Sequence, residues 1–205
     1  GGGIYHSQNL EGALSTLPGA RIVYPSFADD AAGLLRTSMR SKGFTLFLEP
    51  KALYNSVDAA CVVPDDFEVP FGKARIRRSG SDLTIITYGN TTHLCLKVAE
   101  RLANDKVANC EVIDLRSLIP LDKETIFESV KKTSKVLIVH EDKVFSGFGA
   151  ELAATIGTEL FQHLDAPIQR VGSVFTPVGF HPVLEKAILP DADRIYKAAS
   201  DLLAY

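Results

Sequence analysis

Leu83-Thr84-Ile85-Ile86-Thr87-Tyr88 decides the fold of this chain. Six β-prone residues are closed by Gly89-Asn90, and Leu94, Val98 and Leu102 follow at a spacing of four. A run of that kind is a strand buried on both faces, and a four-residue spacing puts side chains on one stripe of a helix. Asn90 is placed to cap that helix, which should run to about Asn104. The rhythm repeats: Cys110 to Leu115 reads as a strand, Asp122 caps a helix carrying Ile126 and Val130, and Lys135 to Val139 is a third strand. The loop Phe145-Ser-Gly-Phe-Gly149 leads into a helix with Leu152, Ile156 and Leu160. Ile168 to Val171 is the fourth strand, Pro182 opens a short helix, and Ala192 to Leu203 closes the chain as an amphipathic one. Short apolar runs alternating with helices predict an α/β domain with a mainly parallel sheet covered on both faces.

Upstream, Lys73-Ala-Arg-Ile-Arg77 alternates charged and apolar residues, as a solvated edge strand does. Residues 55 to 72, with Pro64, Asp65, Asp66 and Pro70, read as an extended linker. Before it lies a β-α-β pattern. Arg21 to Tyr24 is a strand, Ser26 caps a helix from Phe27 to about Lys42 that ends at Gly43, and Phe44 to Leu48 is a second strand. Asn9 is expected to cap a short helix from Leu10 to about Leu17.

The first eight residues are Gly1-Gly2-Gly3-Ile4-Tyr5-His6-Ser7-Gln8. Glycines allow positive φ and close approach, and a histidine beside hydroxyl and amide groups suits proton transfer near neutral pH. The only methionine is Met39, and the chain opens within this glycine-rich stretch, so a fragment of a longer polypeptide is expected.

Composition excludes several classes. A hydrophobic share of 46% supports a packed core, and a net charge of −3 argues against nucleic-acid binding. There is neither an apolar run of membrane-spanning length nor a signal-peptide pattern, so a cytoplasmic protein is expected. Cys61, Cys95 and Cys110 lack metal or redox spacing and should be buried thiols. His140-Glu141 is not the zinc motif HExxH, because position 144 is valine and the segment reads as a strand. Ligands and partners gather at the carboxyl ends of strands in open α/β sheets, which makes His140 and Glu141 interface candidates. His181, in the loop before Pro182, is another, whereas His93 and His163 should be surface residues.

Several stretches in order resemble one family. They are Gly3-Ile-Tyr-His-Ser-Gln8, Pro18-Gly19 with Val23-Tyr-Pro-Ser26, Phe47-Leu-Glu-Pro-Lys51, Leu53-Tyr54, Gly80-Ser-Asp-Leu-Thr84, Glu111-Val-Ile-Asp-Leu-Arg116, Ile119-Pro120, and His140-Glu141 with Gly147-Phe148. Together they resemble the β subunit of the thiamine-diphosphate-dependent 2-oxo acid dehydrogenases that act on branched-chain 2-oxo acids or pyruvate. The resemblance covers the whole chain and corresponds to roughly the last two thirds of that subunit. It implies that residues 1–60 are the latter part of a pyrimidine-binding domain, 61–74 a linker, and 75–205 a transketolase C-terminal-like domain. It also implies oxidative decarboxylation of a 2-oxo acid on thiamine diphosphate with magnesium, then acyl transfer to a lipoyl group, with His6 as the catalytic histidine. The carboxylate that activates the aminopyrimidine lies upstream of this chain in the family, so the chain alone should be inactive. No cofactor-binding residue is carried over. A potassium ion on the carbonyls of Ser38, Ser41 and Gly43 is implied by some relatives. Partners implied are an α subunit or the α part of a fused chain, a second β copy and the lipoyl acyltransferase, with neither nucleic acid nor membrane. The rival readings are a non-catalytic dimerisation or docking module, and another transketolase-type thiamine enzyme.

Overall fold

The computed structural model describes residues 2–205, and two sheets share them. In chain order the elements are α1 (Gly3–His6), α2 (Glu11–Leu14), β1 (Arg21–Val23), α3 (Ala28–Arg40) and β2 (Thr45–Phe47). Then come β3 (Arg75–Arg78), β4 (Leu83–Thr87), α4 (Thr91–Asn104), β5 (Cys110–Asp114), β6 (Ser117–Ile119) and α5 (Lys123–Thr133). The chain finishes with β7 (Val136–Lys143), α6 (Phe148–Glu159), β8 (Gln169–Ser173), α7 (Pro182–Ile188) and α8 (Ala192–Leu203).

The larger sheet has the order β3-β5-β4-β7-β8. The pairs β4–β5, β4–β7 and β7–β8 are parallel, and β3 is an antiparallel edge on β5. The run that opened the sequence reading is therefore the central strand. Its side chains alternate between two cores, as the two-residue period of a strand requires. Leu83 and Ile85 pack with Val98, Ala99 and Leu102 of α4 and with Ile195 and Leu202 of α8. Ile86 and Tyr88 pack on the opposite side with Ile126 and Val130 of α5 and with Leu152 and Ile156 of α6. Polar Thr84 is accommodated because its hydroxyl meets those of Ser129 (2.7 Å) and Thr133 (2.6 Å) on α5.

The smaller sheet is β2-β1-β6, with β1–β2 parallel and β1–β6 antiparallel. Strand β6 was not foreseen: three residues after a strand carry no periodic signal, and only the partner β1 makes them a strand. Residues 55 to 72 are less of a free linker than their prolines suggested. Val69, Phe67 and Phe71 pack with Val23 and Leu34, and Arg36 donates to the carbonyls of Pro64 (3.3 Å) and Phe67 (3.0 Å).

Several caps differ from expectation. Helix α2 is only four residues long, and Leu10 rather than Asn9 precedes it, with no side-chain cap. Phe27 precedes α3, because the Ser26 hydroxyl is engaged elsewhere, and α3 ends at Ser41. Asn90 sits at the cap of α4 but turns its amide to Glu141 Oε2 (3.0 Å). Asp122 does cap α5, accepting from the Thr125 N–H at 3.2 Å.

Candidate functional site

The glycine-led segment forms the turn of helix α1, with Gly3 at φ +56°. His6 ends that turn and is exposed. It opens onto a cavity of about 770 Å³ with Ser7, Gln8, Asn9, Glu11, Tyr24, Glu49, Lys51, Asn90, Glu141 and Glu185 on its walls. The walls thus come from residues 2–14, from residues 47–52 after β2, and from the ends of β4 and β7. This is the carboxyl edge where α/β sheets place their sites.

Strand β7 holds the His6 segment in place. Lys143 Nζ donates to the Asn9 carbonyl at 3.0 Å, and the Gly12 N–H donates to Asp142 Oδ2 at 3.1 Å. Those anchors lie 130 or more residues from the groups they hold, so no sequence pattern announced them.

The two candidates on β7 part company. The strand continues past His140 and Glu141 to Lys143. His140 is fully buried and faces no partner, contrary to its reading as an interface residue. Its Nδ1–H donates to the Asp142 carbonyl (3.0 Å), and the ring fits because a Cβ on Gly149 would lie 2.2 Å from Nε2. Burial lowers its pKa to about 4, so it stays neutral at physiological pH. Glu141 is half-buried and lines the cavity opposite His6. His181 is exposed at the start of α7, where Nδ1 accepts from the Val183 N–H (3.3 Å). His163 is exposed as expected. His93 is buried, its Nε2–H donating to the Ser26 carbonyl (2.8 Å) and its ring lying against Phe27 at 4.6 Å. Cys95 and Cys110 are buried thiols, but Cys61 is exposed and its Sγ accepts from the Asp29 N–H.

Ser38 and Ser41 turn their hydroxyls back onto the carbonyls of Leu34 (2.7 Å) and Thr37 (2.6 Å) at the end of α3. Arg21 Nη2 donates to the Lys42 carbonyl at 2.6 Å, and a Cβ on Gly43 would lie 3.2 Å from that nitrogen. A guanidinium therefore lies at the exit of α3, beside Gly43.

The basic edge strand is a solvated face at Lys73, Arg75 and Ile76, but not at Arg77. Arg77 is buried and pairs with Asp30 of α3 and with Asp114 of β5, its Nε and Nη2 donating to Asp114 Oδ2 at 3.1 and 2.8 Å. Its guanidinium also lies 3.9 Å above the Phe27 ring. Arg116 takes the left-handed region (φ 58°), uncommon for a non-glycine residue. It is held there by Asp30 (2.8 Å) and by the carbonyls of Lys73 and Ala74. The Ser26 hydroxyl donates to Asp114 Oδ1 at 3.0 Å. Burial raises the Asp114 carboxyl, and the Arg77 charge opposes that rise. The acidic counterpart of the basic strand is thus within the chain itself.

Among the described residues no group of three His, Cys, Asp or Glu side chains can hold a metal ion, and no helix is long and apolar enough to cross a membrane.

Residues 72–195 match the protein family described as transketolase, C-terminal domain. The whole chain is 43% identical over 206 residues to the 2-oxoisovalerate dehydrogenase subunit beta, mitochondrial, of Dictyostelium discoideum, and spans 54% of that protein. It is 40% identical over its full length to the 2-oxoisovalerate dehydrogenase subunit beta of Bacillus subtilis, spanning 62% of it. Over 98% of its length it is 42% identical to the pyruvate dehydrogenase E1 component subunit beta of Rickettsia felis, 60% of which it covers. The chain thus spans between 54% and 62% of these relatives. A solved structure described as a split gene transketolase, inactive beta4 tetramer, aligns with a TM-score of 0.76 over 95% of this chain and 60% of that one. At 22% identity that likeness speaks for the fold.

Proposed function

The chain belongs to the transketolase C-terminal domain family, and from that premise we propose that it forms part of the decarboxylating component of a 2-oxo acid dehydrogenase. The observation that carries this reading is the placement of His6 on a cavity of about 770 Å³, together with similarity, over nearly the whole of this chain, to parts of the β subunits of two such enzymes. Residues 1–60 would complete a pyrimidine-binding domain, residues 61–74 connect it, and residues 75–205 carry the family fold. A cytoplasmic setting is kept in this reading on the likeness to bacterial relatives.

The residues present fit one part of the implied cofactor. Glu49 and Glu141 with Asn9 and Asn90 offer acceptors and donors to an aminopyrimidine-like ring. They offer no magnesium–diphosphate site, so that end belongs with an α subunit or α part of a fused chain. Bound thiamine diphosphate supplies the electron sink for breaking the bond to the carboxylate. His6 then delivers a proton to the sulfur released when the dithiolane of a lipoyl acyltransferase opens. Ser7 and Gln8 shape the wall beside it, and Lys143 and Asp142 fix the segment that carries it. Arg21 ties the α3 exit through the Lys42 carbonyl.

A second reading, a docking module without chemistry of its own, is favoured by one surface. The exposed rings of Phe145 and Phe175 meet at 4.6 Å, and Phe180 and Val183, flanking His181 in sequence, are exposed as well. Such a patch suits another subunit, for example a second β copy. The readings separate in the full-length protein assembled with its α part. His6→Ala should lower lipoyl acylation by about 10²- to 10⁴-fold while decarboxylation with an artificial electron acceptor changes far less. Equal losses in the two half-reactions would assign His6 to cofactor placement, and no loss in either would leave the docking reading.

A further inference from the structure

Glu11 opens helix α2 and is buried at the seam between the His6 segment and the end of β7. The ionisable groups that act on it are Asp142 and Glu141 of β7, Tyr88 after β4 and Tyr24 after β1, and His140 and Lys143 share the β7 strand. His140 is neutral, which leaves Lys143 as the cation, and its Nζ is committed to the Asn9 carbonyl and to Asp142 Oδ1 (3.2 Å). Asp142 is used as an acceptor at both oxygens, from the backbone N–H of Lys143 (2.8 Å) and of Gly12. Glu11 Oε1 and the Tyr88 hydroxyl are buried with no hydrogen bond of normal geometry among the described residues, and the nearby Tyr88 hydroxyl pulls the Glu11 carboxyl down against the larger effect of burial. The seam is also tight. A Cβ on Gly12 would come within 2.8 Å of the Ser146 carbonyl and 2.9 Å of Asp142 Oδ2, so α2 meets the β7–α6 loop backbone to backbone.

We propose that Glu11 is a positioning residue for the His6 segment: as a neutral acid it lets α2 seat against Asp142, and its ionisation unseats α2 and with it His6. The physical ground is the proximity of two buried acid groups with one cation already shared. A second negative charge there has neither solvent nor counter-ion. Burial, with the Asp142 charge adding to it, raises the Glu11 carboxyl to about 7, so the change falls at neutral pH. The sign follows: the seat is closed below that pH and loosens as pH rises through it. The inference rests on the proposed role of His6 only for its catalytic consequence, since seating is readable without catalysis.

Two measurements on the 205-residue chain test it. In a carbon-13 titration of the glutamate carboxyls, Glu11 should show a midpoint between about 6 and about 8, against the usual value near 4.3. Amide exchange at Gly12, Leu14 and Ser15, corrected for intrinsic rate, should lose up to roughly tenfold protection per pH unit between the usual carboxyl value near 4.3 and that midpoint, and level off above it. Glu11→Gln should abolish this dependence while keeping the protection seen at low pH, and Asp142→Asn should move the Glu11 midpoint down. A wild-type midpoint below about 5 overturns the proposal whatever the variants do. So does pH-independent protection in the wild type, or an unchanged dependence in Glu11→Gln. If exchange behaves as stated but His6→Ala leaves lipoyl acylation intact, the seating stands and the catalytic role of His6 falls.

Discussion

Replacing Arg77 by methionine should turn a silent part of the core into a pH-dependent one. Arg77 is buried between two fully buried carboxylates, Asp30 and Asp114. Asp30 keeps a second guanidinium, Arg116 at 2.8 Å, with Arg75 at 3.7 Å. Asp114 keeps the Ser26 hydroxyl at 3.0 Å and the more distant charge of Arg75. Methionine fills much of the volume, so the loss is chiefly the charge on which Asp114 depends. Breaking a buried pair from one side costs about 3–5 kcal/mol, a large share of the roughly 5–15 kcal/mol that holds a domain together. Asp114 can limit that cost by taking a proton, since burial already raises its pKa and Arg77 is the largest influence holding it down. In the variant its folded pKa therefore lies further above the unfolded value near 3.9. The folded state then binds more protons than the unfolded one in the window between those two values, and stability falls as pH rises through it. The destabilisation should be small near pH 4 and grow by up to about 1.4 kcal/mol per pH unit until Asp114 ionises in the folded state. Urea denaturation followed by far-ultraviolet circular dichroism at about pH 5, 6.5 and 8 reads this directly. Arg77→Met with Asp114→Asn should recover part of the loss and flatten the pH dependence. A penalty below about 1 kcal/mol at every pH, or one independent of pH, would refute the idea that Asp114 relies on Arg77.

Leu102→Ala, in the core between β4, α4 and α8, should cost about 2–5 kcal/mol in the same denaturation assay. His93→Ala should cost about 1–3 kcal/mol, because it leaves the Ser26 carbonyl unpaired inside; a cost near zero would show that water replaces the ring. The 205-residue chain supplied with thiamine diphosphate and magnesium should show no decarboxylation of 2-oxo acids, since the resemblance implies that the carboxylate activating the aminopyrimidine is not among its residues; turnover measured by carbon dioxide release would contradict this.

The amino-acid sequence by itself determined the elements whose signal is local. Leu83 to Tyr88 and Cys110 to Leu115 had to be buried strands, and the stripe through Val98 and Leu102 had to be a buried helix face, because periodicity is a property of neighbouring residues. The parallel core of the larger sheet follows from their alternation with helices. The motif at His6 was equally legible, as a run of six residues. What surrounds these elements was decided only by the tertiary structure. Ser117–Ile119 is a strand because β1 lies beside it, and Arg77 is interior because Asp30 and Asp114 arrive from elements 47 and 37 residues away. His93 and His140 looked like surface or edge residues, yet Phe27 and Ser26 close over His93 from a distant part of the chain, and Gly149 of the next helix lies against His140. Glu11 and Asp142 meet across the seam pinned by the bond from Gly12 to Asp142, whose ends are 130 residues apart. A charged side chain is written the same way in a sequence whether water or another ion will solvate it. Only the folded chain brings up the partner that decides between them, and with it the energy of the group.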